Sequence, residues 1–178
     1  MPIGYLVPPA IPSNQLLVVE SAPLHLFALL TSAMHMAWLR QVGGRLESRL
    51  RYSSGLVYNT FPGPRVGSGI TRLESAARGV LEARAAHSGS KLADLYHRDL
   101  MPPNLRRAHA VLDRTVDRMY RRRGFGSDAE RVEHLLSDYE RRSAEIVTAT
   151  TDWRHSDPQV SDQVEMARSG SGIPLARV

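Results

Sequence analysis

The sequence predicts an α+β half followed by a small α-helical bundle and a disordered C-terminal tail. Residues 1–64 combine short apolar runs of strand length with one long apolar helix pattern, whereas residues 65–148 show only helical periodicity. From about Thr148 the periodicity stops, and Ser, Asp, Gly and Arg dominate through Arg168-Ser169-Gly170-Ser171-Gly172. The cluster Phe61-Pro62-Gly63-Pro64, with Gly67 and Gly69 after it, interrupts any regular element and reads as a linker between modules. The expected domains are therefore 1–64, 65–148 and a tail over 149–178.

In the first domain, Gln15-Leu16-Leu17-Val18-Val19 is a short apolar run suited to a strand. Ala22-Pro23 then opens one helix of about five turns to Val42, stopped by Gly43-Gly44. Arg45 to Tyr52 and Leu56 to Asn59 are β-compatible, and Ser53-Ser54-Gly55 between them signals a hairpin. In the second domain, Thr71-Arg72-Leu73-Glu74 has capping-box spacing, with Leu73, Ala76, Ala77, Val80 and Leu81 on the face that follows it. Pro102-Pro103 starts the next helix, whose apolar stripe is Leu105, Ala108, Leu112, Val116 and Met119. Ser127-Asp128-Ala129-Glu130 caps a third, with Val132, Leu135, Leu136, Tyr139 and Ile146 as its stripe.

At 178 residues, with 42% hydrophobic and 23% charged, the chain supports one domain or two small ones. Its net charge is +5, and Lys91 is the single lysine among 23 basic residues, so the excess is arginine, the side chain that forks onto phosphates and guanine edges. The excess sits in the middle: residues 65–126 hold thirteen basic residues against six acids, whereas 127–178 hold six against ten. An anionic partner follows. The absence of cysteine removes disulfides, thiolate metal sites and a Cys nucleophile. The first residues lack the charged and apolar regions of a signal peptide, and the apolar stretch Leu24 to Leu39 contains His25, Thr31, Ser32 and His35 and falls short of a membrane span. A cytoplasmic protein without a membrane partner is expected.

Searches for a P-loop, a nucleophile elbow, His-Glu-x-x-His and a dinucleotide fingerprint all fail, so no catalytic residue and no metal site is assigned. The histidines are dispersed, and His25 and His35 sit among apolar neighbours as packed or hydrogen-bonded core groups. The informative segment is Gly44 to Tyr52. As one continuous strand it sends Arg45, Glu47, Arg49 and Arg51 to one face and Leu46, Ser48, Leu50 and Tyr52 to the other. A carboxylate accepts from cytosine N4 and an arginine bridges guanine O6 and N7, so the Glu47/Arg49 pair has the chemistry to read a C·G pair. The competing reading is a solvated strand face with local ion pairing.

Met34-His35-Met36-Ala37-Trp38, Gly44-Arg45-Leu46, Arg51-Tyr52-Ser53 and Val57-Tyr58-Asn59-Thr60-Phe61-Pro62-Gly63-Pro64 resemble, in order and spacing, the closing part of the target-recognition domain of MmeI-like type IIL restriction–modification enzymes. Lys91 to Tyr96, Met101 to His109 and Asp128 to Val132 resemble the C-terminal helical domain of the same enzymes, so the likeness spans residues 2–145. Those enzymes join a nuclease, an adenine-specific DNA methyltransferase, a target-recognition domain and a C-terminal helical domain in one chain. The resemblance implies a partial target-recognition module whose segment Glu47 to Arg51 is a base-reading strand, with Glu47 and Arg49 a specificity pair and Arg51 on a neighbouring base. Arg40, Arg45 and Asn59, with Arg121 and Arg122, are then expected on the DNA backbone, although charges at a helix end are also an ordinary solvated face.

The catalytic motifs of the family have no counterpart here, and Gly63 replaces the aromatic found between its two prolines. S-adenosylmethionine and a divalent metal are implied for catalytic domains elsewhere, not for this chain. Met1 falls inside what resembles a recognition-domain strand, which leaves a split gene, a remnant or an excised piece as alternatives. The expected partners are duplex DNA and a separate methyltransferase/nuclease polypeptide. The rival expectation is a protein-interaction module that docks through the apolar segment Leu24 to Val42, and a third is a remnant without function.

Overall fold

The computed structural model describes residues 3–156, apart from 7, 8, 14, 15, 48, 66, 68 and 98, with side chains described as far as Thr148. The single helix expected from Pro23 to Val42 is two helices, α1 (Leu24–Thr31) and α2 (Ala33–Val42). Ser32 makes the break: its backbone is extended (φ −74°, ψ 160°), its hydroxyl donates to the Leu29 carbonyl at 2.6 Å, and it accepts from the His35 N–H at 3.3 Å. A serine that caps the second helix thereby ends the first. Both helices are core, with Phe27, Ala28, Met34, Ala37, Trp38 and Leu39 buried. The alternative that makes Leu24 to Val42 a docking surface is therefore overturned, because that segment is already covered by its own chain.

The hairpin also sits elsewhere than expected. Strands β1 (Gly44–Leu46) and β2 (Arg49–Arg51) pair antiparallel with Leu46 opposite Arg49, so the chain turns after Leu46, at Glu47, and not at Ser53-Gly55. Ser53 instead caps a π-helical turn, Ser54–Tyr58, by accepting from the Leu56 N–H at 3.4 Å. The strand expected over 15–19 is absent at Leu16 to Val19, which are exposed and join no sheet among the described residues, and Gln15 lies outside them. Without a neighbouring strand to satisfy its backbone, apolar composition alone does not make a strand.

Helix α3 (Ile70–Ala85) starts before Thr71, with Gly69 as its cap residue, so the expected capping box does not form. Glu74 turns instead toward His25 at 3.6 Å and Arg78 at 3.7 Å. After the single turn α4 (Leu92–Leu95), α5 (Pro103–Tyr120) begins on a proline in its first turn, as expected. The last helix, α6 (Asp128–Ser156), has the expected cap, Ser127 accepting from the Glu130 N–H at 3.2 Å. It extends as far as Ser156, past the expected end of the bundle at 148, and residues 157–178 of the expected tail lie outside the described ones.

Residues up to Leu136 form one compact unit in which α1 packs on α3 and α5, and α2 on α5. Leu73, Ala77, Val80, Leu105, Leu112, Val116 and Leu135 share one core with Trp38 and Leu39. In the segment between the two halves Pro62 and Pro64 are buried and Phe61 packs against that core, whereas Arg65 and Gly67 are exposed. From Ser137 onward α6 forms a second unit, where Asp138 pairs with Arg141 and Arg142 and Arg141 also reaches Glu145 at 2.8 Å. Tyr139 and Ile146, expected on an apolar stripe, are exposed there.

Buried polar groups lock the first unit. Arg131 of α6 forks onto Asp117 of α5, with Nε to Oδ1 at 3.0 Å and Nη2 to Oδ2 at 2.7 Å, the two side chains 13% and 6% exposed. Asp117 holds the Arg131 guanidinium above its ordinary range. Arg131 also reaches Asp128 at 3.1 Å, and Asp128 pairs with Arg40 of α2 at 2.5 Å. One turn back on α5, Asp113 accepts from the Ala33 N–H at 2.7 Å, capping α2 from a different helix. Burial raises the Asp113 carboxyl.

Asp117→Ala removes both forked contacts and leaves the buried Arg131 guanidinium with Asp128 alone, so it should cost about 3 kcal/mol, read as a loss in urea unfolding free energy. His35, fully buried, is held neutral by that burial, its pKa lowered to about 4. The unfolded chain takes up this proton below about pH 6.5, so stability is complete above that value and falls as the pH drops toward 4. Between pH 7.5 and 4.5 the loss should be on the order of 2–3 kcal/mol by urea unfolding, and smaller in His35→Gln.

Candidate nucleic-acid interface

The hairpin is held at its root by α2. The Tyr52 hydroxyl lies 3.0 Å from His35 Nε2, and the His35 ring meets Phe61 edge-on at 4.6 Å between centroids. Burial pushes the Tyr52 hydroxyl up to about 12, so it stays protonated for this contact. Trp38 Nε1 donates to Thr60 Oγ1 at 3.2 Å, and Thr60 donates in turn to the Leu56 carbonyl at 2.7 Å. At the entry to β1, a Cβ on Gly43 would lie 2.4 Å from the Leu39 carbonyl oxygen, so only glycine permits this exit from the helix.

The register decides what the hairpin displays. Leu50 packs against the core and Tyr52 with it, so Arg49 and Arg51 face away from the body and are exposed. Cross-strand partners share a face. Leu46 therefore joins Arg49, whereas Arg45, opposite Leu50, leaves the row that simple alternation predicts. The expected single row of Arg45, Glu47, Arg49 and Arg51 is corrected to Arg49 and Arg51 on the outer face and Glu47 at the tip. Alternation holds along one strand and is reset by the turn.

Glu47 adopts φ 56°, the left-handed region that costs a side-chain-bearing residue about 1–2 kcal/mol. It pairs with Arg49 at 3.7 Å, the side chains 76% and 84% exposed. So exposed a pair contributes little stability. Strain at the tip and an ion pair of small energetic value mark a place where the fold is not optimised for itself.

The expected backbone contacts are spread more widely. Arg45, Asn59 and Arg122 are exposed, and the Asn59 N–H closes the π-helical turn on the Ser54 carbonyl at 2.9 Å. Arg40 is held by Asp128, and Arg121 by Glu130 at 2.5 Å and by the Gly124 carbonyl at 2.7 Å, with its guanidinium 4.1 Å from the Phe125 ring centre. Arg121 and Arg122 thus belong to the α5–α6 turn, not to the hairpin.

Sequence reasoning missed a cavity of about 290 Å³ lined by Arg65, Arg72 and Arg118. These residues come from three segments and share no spacing, so only the folded chain gathers them. No group of three or more His, Asp or Glu side chains placed to hold a metal occurs among the described residues. No helix among the described residues is long and apolar enough to cross a membrane.

Comparison with known proteins matches residues 1–65 to the model of the MmeI target recognition domain and residues 69–147 to that of the MmeI C-terminal domain. DNA methyltransferase A of Bacillus subtilis (strain 168) is 41% identical over 141 residues, which cover 79% of this chain and 16% of that protein. The solved structure of the type IIL restriction–modification enzyme MmeI in complex with DNA superposes with a TM-score of 0.67 at 42% identity, over 70% of this chain and 17% of that one. The chain thus spans about a sixth of the length of these relatives.

Replacing Glu47 by Asn, which tolerates the left-handed region, should raise stability by about 0.5–1 kcal/mol in urea unfolding while removing the tip carboxylate.

Proposed function

The chain belongs to the MmeI family of type IIL restriction–modification enzymes, carrying its target recognition and C-terminal domains, and from that premise we propose that it reads the sequence of duplex DNA and grips the duplex backbone. One observation carries this reading: the Glu47–Arg49 pair, projected into solvent on a strained hairpin tip within the region that matches the target recognition domain. Glu47 accepts from cytosine N4 and Arg49 bridges guanine O6 and N7 of the same C·G pair. Arg51, on the same outer face as Arg49, reaches a neighbouring base.

Arg45 in β1, Asn59 at the end of the π-helical turn, and Arg122 at the α5–α6 turn hold phosphates. A guanidinium has five donors, so Arg40 and Arg121 reach phosphates through N–H groups that their carboxylate partners do not take. Methyl transfer and cleavage, with S-adenosylmethionine and a divalent metal, belong to catalytic domains outside these residues. A separate polypeptide bearing those domains is the partner in this reading, and a cytoplasmic location goes with it. A module that docks on protein alone is not favoured, because its proposed surface is core.

The test exchanges the pair's charges. Glu47→Lys with Arg49→Asp should move preference from C·G to the reversed pair at one position of the site. The change should be roughly 1–3 kcal/mol in competition binding with otherwise identical duplexes. Unchanged preference would sink the base-reading role.

A further inference from the structure

We propose that the cavity between the start of α3 and the end of α5 is a binding site for a phosphate group of the duplex backbone, held where the target recognition and C-terminal domains meet. The proposal rests on the DNA-reading function and adds to it a site of a different kind. Arg65 comes from the segment that closes the recognition domain, Arg72 from the first turn of α3, and Arg118 from the last turn of α5. The remaining lining is neutral, with Gly67 and Gly69 on one side and Thr115 and Met119 on the other.

Arg65, Arg72 and Arg118 share the lack of a carboxylate partner with other described arginines such as Arg51, Arg107 and Arg122, and what sets them apart is that they line one cavity. Arg40, Arg49, Arg78, Arg121, Arg131, Arg141 and Arg142 each have a carboxylate within 4 Å, whereas no ion pair among the described residues engages Arg65, Arg72 or Arg118. Three like charges around one cavity repel one another, and an anion seated between them turns that repulsion into attraction. Planar guanidiniums approaching from three segments suit the several oxygens of one phosphate. The cavity stays open because its floor is small: a Cβ on Gly69 would press on Met119 at 3.3 Å, and no side chain caps α3 at this end. The positive end of the α3 dipole adds to the field of the arginines.

The location gives the site a purpose. Arg65 is the last residue matched to the recognition domain and Gly69 the first matched to the C-terminal domain. A phosphate held here fixes the register of the duplex against both domains without itself reading a base. The same chemistry is available from free phosphate, and that source is separated by the experiment.

The test uses the whole chain and the triple variant Arg65→Gln/Arg72→Gln/Arg118→Gln, with Arg78→Gln as a control outside the cavity. Binding to a duplex of fixed sequence is measured by fluorescence anisotropy across a salt series, and thermal unfolding is followed with inorganic phosphate against chloride at equal ionic strength. The triple variant should lower the slope of log K against log salt by about one for each phosphate no longer held, weaken all duplexes alike, and leave Arg78→Gln at the parental slope. That result stands even if sequence preference proves absent, so failure of base reading is distinguishable from failure of the cavity. An unchanged slope, or a chain that does not bind duplex at all, would overturn the proposal. Phosphate-specific thermal stabilisation that disappears in the triple variant without a change in DNA slope would also overturn it, making the cavity a site for free phosphate.

Discussion

The fork of Arg131 onto Asp117 is the contact on which the rest of the unit depends. Two charges so deeply placed are tolerated only because each satisfies the other in good geometry. From that fork the polar contacts run through Asp128 to Arg40, and from the same face of α5 Asp113 caps α2. Helix α2, which carries the hairpin, is thereby tied by charge and hydrogen bonds to α5 and α6 of the C-terminal part. Apolar packing around Trp38, Leu39, Leu112 and Val116 supplies cohesion but no directional preference, and these polar contacts supply the direction.

What the rigid base supports is a short, exposed and locally unfavourable element. A two-stranded ribbon has little stability of its own, so the half-buried Leu50 and Tyr52, packed against the core, and the His35–Tyr52 contact must hold it. The outer face is then free to carry arginine, and the tip a glutamate in a backbone conformation that glycine or asparagine would occupy at lower cost. The separation of roles is clean: the inward residues fix geometry, and the outward ones take no part in the core. The arginine cavity follows the same rule, being outside the ion pairs that stabilise the unit.

The helices of the C-terminal half are legible in the sequence because their apolar residues recur at helical spacing and because Pro103 and Ser127 announce two of the starts. The break at Ser32 is not, since a serine inside an apolar run looks like a tolerated interruption until its hydroxyl is seen capping α2. The hairpin turn is hidden for a related reason. Glycine is the expected marker of a tight turn, and Ser53-Ser54-Gly55 carries it, but the chain turns at Glu47 and uses the glycine segment for a π-helical turn. Residue chemistry thus singled out Glu47, Arg49 and Arg51, while the face of Arg45 needed the register. Arg65, Arg72 and Arg118 needed the tertiary fold, since nothing local relates positions so far apart.

In the proposed function the hairpin carries sequence information about DNA and the arginines grip the duplex backbone. The most direct measurement is selection of bound molecules from a random duplex pool by the purified chain at moderate salt, followed by sequencing. Enrichment of one short asymmetric motif containing an invariant C·G pair is the expected result. Retention of duplexes without any enriched motif would contradict the claim, leaving a basic surface that holds DNA but does not read it.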